Sequence, residues 1–379
     1  MIERTGYLTR IQNALRRSRI TALLGPRQSG KTTLARVIAG TTASTFFDLE
    51  FEPDRQALLN PYLAMEQLDG LIIIDEIQRM PELFNVLRVL ADRPDMKARW
   101  LILGSASPDI VRGASETLAG RVEYIELGGF DISETGADSW EELWLRGGLP
   151  RSYLAESLDD SQAWREDFIR TFLERDIPLL GLRFPAPAIR RAWVMLAHQH
   201  GQVLNCSRIG RSIGVSDKTV RHYLDLLTGA FMVRQLQPWY TNVGKRQVKS
   251  PKVYIRDSGI LHRLLTITDR KDLLSHPVAG ASWEGFVIEQ LVKLIPGGDM
   301  YFWGTQSGAE IDLVLNIHGR SFGFEAKFSE HPTSTRSVYS AIESLNLEHV
   351  WMIHPGTKRY RINEKTTALP LSMIGTLIL

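Results

Sequence analysis

Short apolar runs alternate with amphipathic stretches through the first third of the chain. The runs Ile20–Leu24, 45–49, Leu71–Asp75, 100–103 and 122–127 are each bounded by Gly, Pro, Asp or Ser. Runs that are apolar almost throughout, rather than at every second position, predict strands buried on both faces. Helical patterns between them make a parallel sheet flanked by helices the expected architecture. From about 139 to 181 the pattern turns helical, with Trp140, Leu143, Trp144, Phe168, Phe172 and Leu173 as expected core positions. Pro178, Pro185 and Pro187 then punctuate the chain and mark a boundary. Residues 188–240 read as helices with one sharp turn, ending in an apolar strand over 231–236. A basic stretch and a strand over Lys252–Ile255 follow, and from Gly280 onward the pattern is helix, strand, strand, helix, strand. There is no internal repeat and no low-complexity segment.

Composition narrows this picture. The 379 residues, 44% hydrophobic and 23% charged, are ordinary for soluble globular proteins and allow two to four folding units. With 45 basic against 43 acidic residues the net charge is only +2, so any attraction to nucleic acid must come from local patches. The single cysteine, Cys206, excludes an internal disulfide and a cysteine-rich zinc site, and it fits a reducing cytosol. The opening residues MIERTGYLTR carry charge without an apolar core, unlike a signal peptide. The longest apolar runs, such as 71–74, fall far short of the ~18 residues that cross a bilayer. A soluble, cytoplasmic chain that does not engage the membrane is expected.

The strongest chemical signal follows the first strand. Gly25-Pro26-Arg27-Gln28-Ser29-Gly30-Lys31-Thr32 fits the Walker A pattern G-x-x-x-x-G-K-[ST], between the strand Ile20–Leu24 and a helix expected over 33–38. The glycines let the backbone curl so that successive N–H groups face phosphate oxygens, and the positive helix end adds to the attraction. Residues 25–33, Thr33 included, form the expected nucleotide-binding loop. Lys31 is placed to reach the β- and γ-phosphates of ATP, and Thr32 to put its hydroxyl on Mg²⁺. Leu71-Ile-Ile-Ile-Asp75-Glu76 has the Walker B form, an apolar strand ending in two acids. Asp75 would hold the Mg²⁺ shell and Glu76 would orient the attacking water. Two softer positions join them. Ser105, at the end of a buried strand, is either a γ-phosphate sensor or a strand-end turn residue. Arg121, just before the fifth strand, is either a surface residue or a finger supplied to a neighbouring subunit, and the second role requires a homo-oligomer, with a ring as one form.

Residues 207–227 have helix-turn-helix spacing. Ser207 is expected to cap the first helix, Gly214 to permit the turn and Ser216 to cap the second. Val220, Leu224 and Leu227 share one face of the second helix, which leaves Lys218, Thr219, Arg221 and His222 outward, where a recognition helix meets DNA. Lys245, Arg246, Lys249 and Lys252 lie between two strands as a wing whose cations suit phosphate contact. Winged helices also serve as protein-packing modules, and both readings stand.

Near the C-terminus, Gly323-Phe324-Glu325-Ala326-Lys327-Phe328 reads as a half-buried strand with Glu325 and Lys327 on the face opposite Phe322, Phe324, Ala326 and Phe328. Asp312 lies on a strand before it, and Glu284 on a helix that opens the unit. This D-x₁₂-E-x-K order with a helical glutamate is the arrangement of the PD-(D/E)XK nuclease fold, with Ile311 where a proline usually precedes the aspartate. Asp312 and Glu325 would bind a Mg²⁺ ion, Glu284 would complete its shell, and Lys327 would position the water that the ion acidifies. The same charged face also suits a scaffold or a DNA-gripping surface.

Taken together, the stretches GPRQSGKTT, LIIIDEIQ, LILGSAS, LAGRVEYIEL, GGLPRSYL, TFLERDIPLL, PKVYIRDSGIL, SWEGFVIEQL, FWGTQSGAEIDLVL and GFEAKFS resemble a prokaryotic group of AAA+ ATPases. The resemblance covers nearly the whole chain. It implies an α/β architecture: a P-loop AAA+ ATPase core of archaeal type over 1–135, a helical lid over 136–186, a winged helix-turn-helix over 187–256 and a restriction-endonuclease-like α/β domain over 257–379. It also implies that Glu174-Arg175-Asp176 belongs to the central helical motif, where Arg175 either faces the nucleotide or makes a structural ion pair. Three functions are compatible with these modules. The first is a DNA-associated motor or switch driven by ATP hydrolysis. The second is an ATP-dependent metal-ion nuclease acting in repair or defence. The third is a signalling ATPase whose rear half binds protein partners.

Overall fold

The apolar runs of the first third become an all-parallel five-stranded sheet in a computed structural model, which describes residues 2–106, 118–179, 185–239 and 249–377. Its strands are β1 (Ile20–Leu24), β2 (Ser44–Asp48), β3 (Leu71–Asp75), β4 (Arg99–Gly104) and β5 (Val122–Glu126), in the order β2-β3-β4-β1-β5. β1 and β3 match the expected bounds, and the others shift by a residue or so at their ends. Every residue of β1 and β3 is buried, as central strands covered on both faces require. Alternate residues feed two cores. Ile20, Ala22, Ile72, Ile74 and Trp100 pack with Leu83, Leu87 and Leu90 on one side. Leu23, Ile73, Leu101 and Leu103 pack with Ile11, Leu34 and Ile38 on the other. The helix after the glycine-rich loop runs Lys31–Ala39, two residues earlier than the pattern predicted.

The chain divides into two compact units. Among the described residues, one is drawn from Met1–Gly129, Thr171–Phe184 and Asp225–Met232, the other from Phe130–Arg170, Pro185–Leu224 and Val233–Leu379. The stretch 136–186, expected as one lid, is therefore shared between the two units.

In the second unit, β6 (Gln202–Val203), β8 (Lys252–Ile255) and β7 (Val233–Leu236) form a three-stranded antiparallel sheet with β8 at its centre. Phe231 lies outside β7, because its φ of 63° puts it in the turn before the strand. The helices Cys206–Ile213 and Asp217–Gly229 realise the helix-turn-helix spacing. Gly214 closes the first in the left-handed region at φ 73°, and the Ser216 hydroxyl accepts from the Thr219 N–H at 3.1 Å. The first cap is Asn205 rather than Ser207. Its side-chain oxygen accepts from the Arg208 N–H at 2.9 Å, one of the donors that a helix start leaves unpaired.

A six-stranded mixed sheet follows, built from β9 (Asp299–Gly304), β10 (Glu310–Ile317), β11 (Arg320–Ala326), β12 (His349–His354), β13 (Tyr360–Asn363) and β14 (Thr366–Pro370). Its order is β13-β14-β12-β11-β10-β9: an antiparallel β9-β10-β11 meander, then a parallel step to β12 through the helix Arg336–Leu345. β9 and the β13–β14 hairpin are additions to the expected helix-strand-strand-helix-strand pattern. Phe328 falls beyond β11 and packs on Trp144 and Trp283, so it leaves Phe322 and Phe324, which lie against Trp351. Asp257 joins the stretches GGLPRSYL and PKVYIRDSGIL within this unit. It caps the helix Ser258–Leu264 through the Ile260 N–H and also accepts from Gly148 and Leu149. Gly147, at φ 79°, leaves the space: a Cβ there would stand 2.1 Å from the Asp257 carboxylate. Among the described residues no helix is long and apolar enough to cross a membrane.

Candidate functional site

Parallel packing brings the C-terminal ends of β1, β4 and β3 to one edge of the sheet, where open α/β sheets bind ligands. Gly25 leaves β1 with its N–H donating to the Gly104 carbonyl at 3.2 Å. Only glycine fits there, since a Cβ would lie 2.0 Å from the Leu127 carbonyl oxygen. Gly30 is left-handed at φ 96° and opens the helix that begins at Lys31. Lys31 is buried, and its ammonium donates to the carbonyls of Gly25 at 2.9 Å and Pro26 at 2.8 Å. Burial lowers its pKa to about 8, against the carboxylates of Glu76 and Asp75, which raise it. The Ser29 hydroxyl is fully buried and lacks a hydrogen-bond partner, so a polar group enclosed by the loop would satisfy it. Gln28, in the left-handed region at φ 59°, continues the curl, while Thr33 faces solvent.

The two motifs meet at Thr32 and Asp75. The Thr32 hydroxyl donates to Asp75 at 2.7 Å, so the two groups expected around Mg²⁺ are adjacent. Burial raises the Asp75 pKa, and the Thr32 hydrogen bond opposes it. Glu76 is itself left-handed at φ 56°, a position that costs a non-glycine residue energy and recurs at functional sites. Its carboxylate accepts from Gln78 and from the Ser105 hydroxyl, the latter at 3.3 Å, and Gln78 also donates to Ser105 at 2.9 Å. Ser105 thus stands just past the end of β4 with its hydroxyl on the Glu76 carboxylate.

Gln78, Glu50 and Arg79 of this site escaped the motif reading. Gln78 lies two positions past Glu76 in LIIIDEIQ and is the most legible of them. Glu50 gathers three arginines, Arg27 at 3.1 Å, Arg79 at 2.7 Å and Arg175 at 3.4 Å. Arg27 also pairs with Asp176, which the π-helical turn Phe172–Asp176 presents to the loop. Arg175 therefore makes an ion pair with Glu50, the second of its two expected roles. Arg27, Glu76, Gln78, Ser105, Phe172 and Asp176 line one cavity. Arg121 is held in its own chain by Asp92, with two hydrogen bonds of 2.7 and 2.8 Å.

On the second helix of the helix-turn-helix, Lys218, Arg221 and His222 are exposed, whereas Thr219 is half-buried with its hydroxyl 2.9 Å from that of Ser216. Lys249 is exposed, and Lys245 and Arg246 lie outside the described residues. Lys252 is not a wing cation. It is 2% exposed and turned inward.

There Lys252 meets the C-terminal carboxylates. Its ammonium lies 3.1 Å from Glu284, 3.5 Å from Glu310 and 3.8 Å from Asp312. The Tyr254 hydroxyl, two residues along β8 and so on the same face, donates to Glu284. Asp312 sits where the pairing of β10 with β9 slips between Ile311 and Val314, an irregularity of the kind that re-aims side chains. Its other oxygen accepts from the Ala326 N–H at 2.9 Å, tying it to Glu325 on β11. Lys327 pairs with Glu325 at 2.6 Å. The four residues expected here are thus brought together. Burial and the Asp312 charge push Glu284 up to about 7 and Glu325 up to about 8, despite the lysines beside them. Oxygen donors with excess negative charge, one Glu325 oxygen buried and unpartnered, suit a hard divalent cation. Yet among the described residues no three His, Cys, Asp or Glu side chains are gathered as a ready metal shell. Lys252 stands between two of the donors.

Residues 17–136 match a family model described as "AAA domain". Two models described as domains of unknown function match the rest, DUF8612 over 137–271 and DUF4143 over 279–374. The chain is 51% identical over 376 residues to two curated proteins, "Uncharacterized protein Rv2008c" of Mycobacterium tuberculosis and "Uncharacterized protein Mb2031c" of Mycobacterium bovis. These alignments cover 99% of this chain and 85% of each relative. Among solved structures, the Walker-type ATPase PABY2304 of Pyrococcus abyssi aligns at 14% identity with a TM-score of 0.49, over 70% of this chain and 96% of that one.

Proposed function

We propose that this chain, which belongs to the same family as the two mycobacterial proteins, binds ATP with Mg²⁺ at residues 25–33 and hydrolyses it. The carrying observation is the Thr32–Asp75 hydrogen bond of 2.7 Å, with Glu76 one residue further on and held by Ser105. Lys31 and the loop backbone bind the phosphates, Thr32 and Asp75 hold the metal side of the site, and Glu76 orients water. Mg²⁺, when bound, neutralises charge on the β- and γ-phosphates. Replacing Glu76 by glutamine keeps the hydrogen bonds and removes the base. Turnover is expected to fall by roughly 10²–10⁴-fold with ATP affinity nearly unchanged. Full turnover in Glu76→Gln would sink this assignment.

DNA is the proposed partner of the second unit. Exposed Lys218, Arg221 and His222 on a properly capped second helix support that reading, and Lys249 adds a cation before β8. Binding through such cations must weaken as salt rises. A DNA-stimulated ATP turnover that declines between 50 and 200 mM salt, roughly the range over which phosphate contacts are lost, is the expected result. Equal turnover with and without linear, supercoiled and branched DNA excludes it. A finger role for Arg121 requires a homo-oligomer in which its pair with Asp92 opens. ATP and DNA as ligands fit a cytoplasmic chain.

The nearness of Asp312, Glu325 and Lys327 favours one second reading, an ATP-dependent nuclease. Asp312 and Glu325 would hold a divalent cation, which acidifies a bound water, and Lys327 would position that water and stabilise charge on the phosphate. Cleavage of DNA with Mg²⁺ or Mn²⁺ that Asp312→Ala leaves unchanged removes it.

A further inference from the structure

We propose that the Lys252 ammonium is the resident cation of the C-terminal carboxylate cluster, and that a divalent cation occupies the cluster only where Lys252 gives way. Four carboxylates, Glu284, Glu310, Asp312 and Glu325, face two ammonium groups, Lys252 and Lys327. With all four acids ionised, as a bound divalent ion would favour, the excess is two negative charges, the charge of that ion. Lys252 stands where such an ion would bridge Glu284 and Asp312, at 3.1 and 3.8 Å from them. The acids alone would not make a site. The second observation is the Glu325 oxygen, on a residue 4% exposed, which has no hydrogen-bond partner.

The position of Lys252 makes exchange feasible. It is the first residue of β8, paired with Val203 and Leu236, and its side chain also lies 5.7 Å from the centre of the Phe302 ring. The stem can turn while Val253, Tyr254 and Ile255 keep their ladder. Tyr254 keeps its hold on Glu284, so one ligand stays oriented as the lysine leaves. An ammonium is a compact point charge on a flexible stem, well suited to this substitution. A divalent ion and Lys252 then compete for the same oxygens, and metal affinity is set by the cost of displacing the lysine.

The inference rests on these contacts and not on ATP hydrolysis, so its test uses the full chain without nucleotide. Mn²⁺ binding is followed by electron paramagnetic resonance in wild type, Lys252→Met, and Lys252→Met combined with Asp312→Asn. Lys252→Met should bind one Mn²⁺ at least about tenfold more tightly than wild type, the ratio that one lost competing charge contact of ordinary strength yields. Adding Asp312→Asn should abolish that gain. Equal Mn²⁺ affinity in wild type and Lys252→Met overturns the proposal. Wild type offers a check that does not depend on the variant folding. Its melting temperature should rise with Mn²⁺ only at concentrations high enough to displace Lys252, and Asp312→Asn should remove that rise; a rise that Asp312→Asn leaves intact overturns the proposal equally.

Discussion

Lys31→Ala is expected to lower kcat/KM for ATP by roughly 10²–10³-fold, the loss seen when one preorganised charge-stabilising donor is removed. The ammonium is buried and, among the described residues, donates to the carbonyls of Gly25 and Pro26. A phosphate that takes it over exchanges two neutral acceptors for a charged one, and that gain is what alanine forfeits. The fold should survive, because alanine is a good helix former at the first position of the helix Lys31–Ala39 and the change removes a buried cation and not an apolar core side chain. A melting temperature near that of wild type alongside lost turnover is the expected pair of results. The same lysine predicts a pH dependence. Burial brings its pKa to about 8, so the free protein loses this charge as pH rises through 8. ATP restores it, and kcat/KM should therefore decline above about pH 8 with a slope approaching tenfold per pH unit. A flat profile to pH 10, the range of an ordinary lysine, contradicts this role.

Glu289→Ala is expected to destabilise the second unit by about 3–5 kcal/mol, the cost of leaving buried charges unpaired. Glu289 is 3% exposed, and its carboxylate receives both Arg234 and Arg256, with bonds of 3.2 and 3.3 Å among them. Burial alone would raise its pKa. The two guanidinium groups outweigh that and hold it at about 2, below the ordinary 4.5. A carboxylate depressed on folding contributes stability that is fully present above about pH 4.5 and is lost as pH falls towards 2. The difference in unfolding free energy between wild type and Glu289→Ala should therefore be largest near neutrality and shrink through that window. Urea titrations at several pH values measure it. A difference independent of pH would mean that packing, and not the ion pairs, sustains the unit.

Much of the nucleotide site was legible because its chemistry is local. A tight glycine turn, a following helix and an acid pair at a strand end are set within a few neighbouring residues, and β1, β3 and the Thr32–Asp75 pairing followed. Gln78 was within reach, since it shares the turn of Glu76. Glu50 and Asp176 were not, because their partner Arg27 lies 23 and 149 residues away and only the folded chain brings them together. The β13–β14 hairpin mixes polar and apolar residues without a clean period, whereas β9 carries the apolar run 300–303 and was legible as a strand. Asn205 displaced Ser207 as the helix cap, because the helix starts one residue before Ser207 and the cap must precede it.

Lys252 marks the division most clearly. Along the chain it is one of four cations in a basic stretch, and solvation is the ordinary fate of such a residue. Its direction depends on which face of β8 meets the helix Ala279–Leu294 and the strand β10, and strand period alone does not choose between two faces. The sequence by itself determined a P-loop with its acid pair, the two helices that meet at Gly214 and the D-x₁₂-E-x-K order, since each is encoded by residues close in the chain. The tertiary structure alone decided that Glu50 collects three arginines, that Glu289 binds two more, and that a lysine from β8 sits among the carboxylates. All three outcomes depend on long-range packing, and for Glu289 and Lys252 that packing draws unlike charges out of water, where each must find a partner.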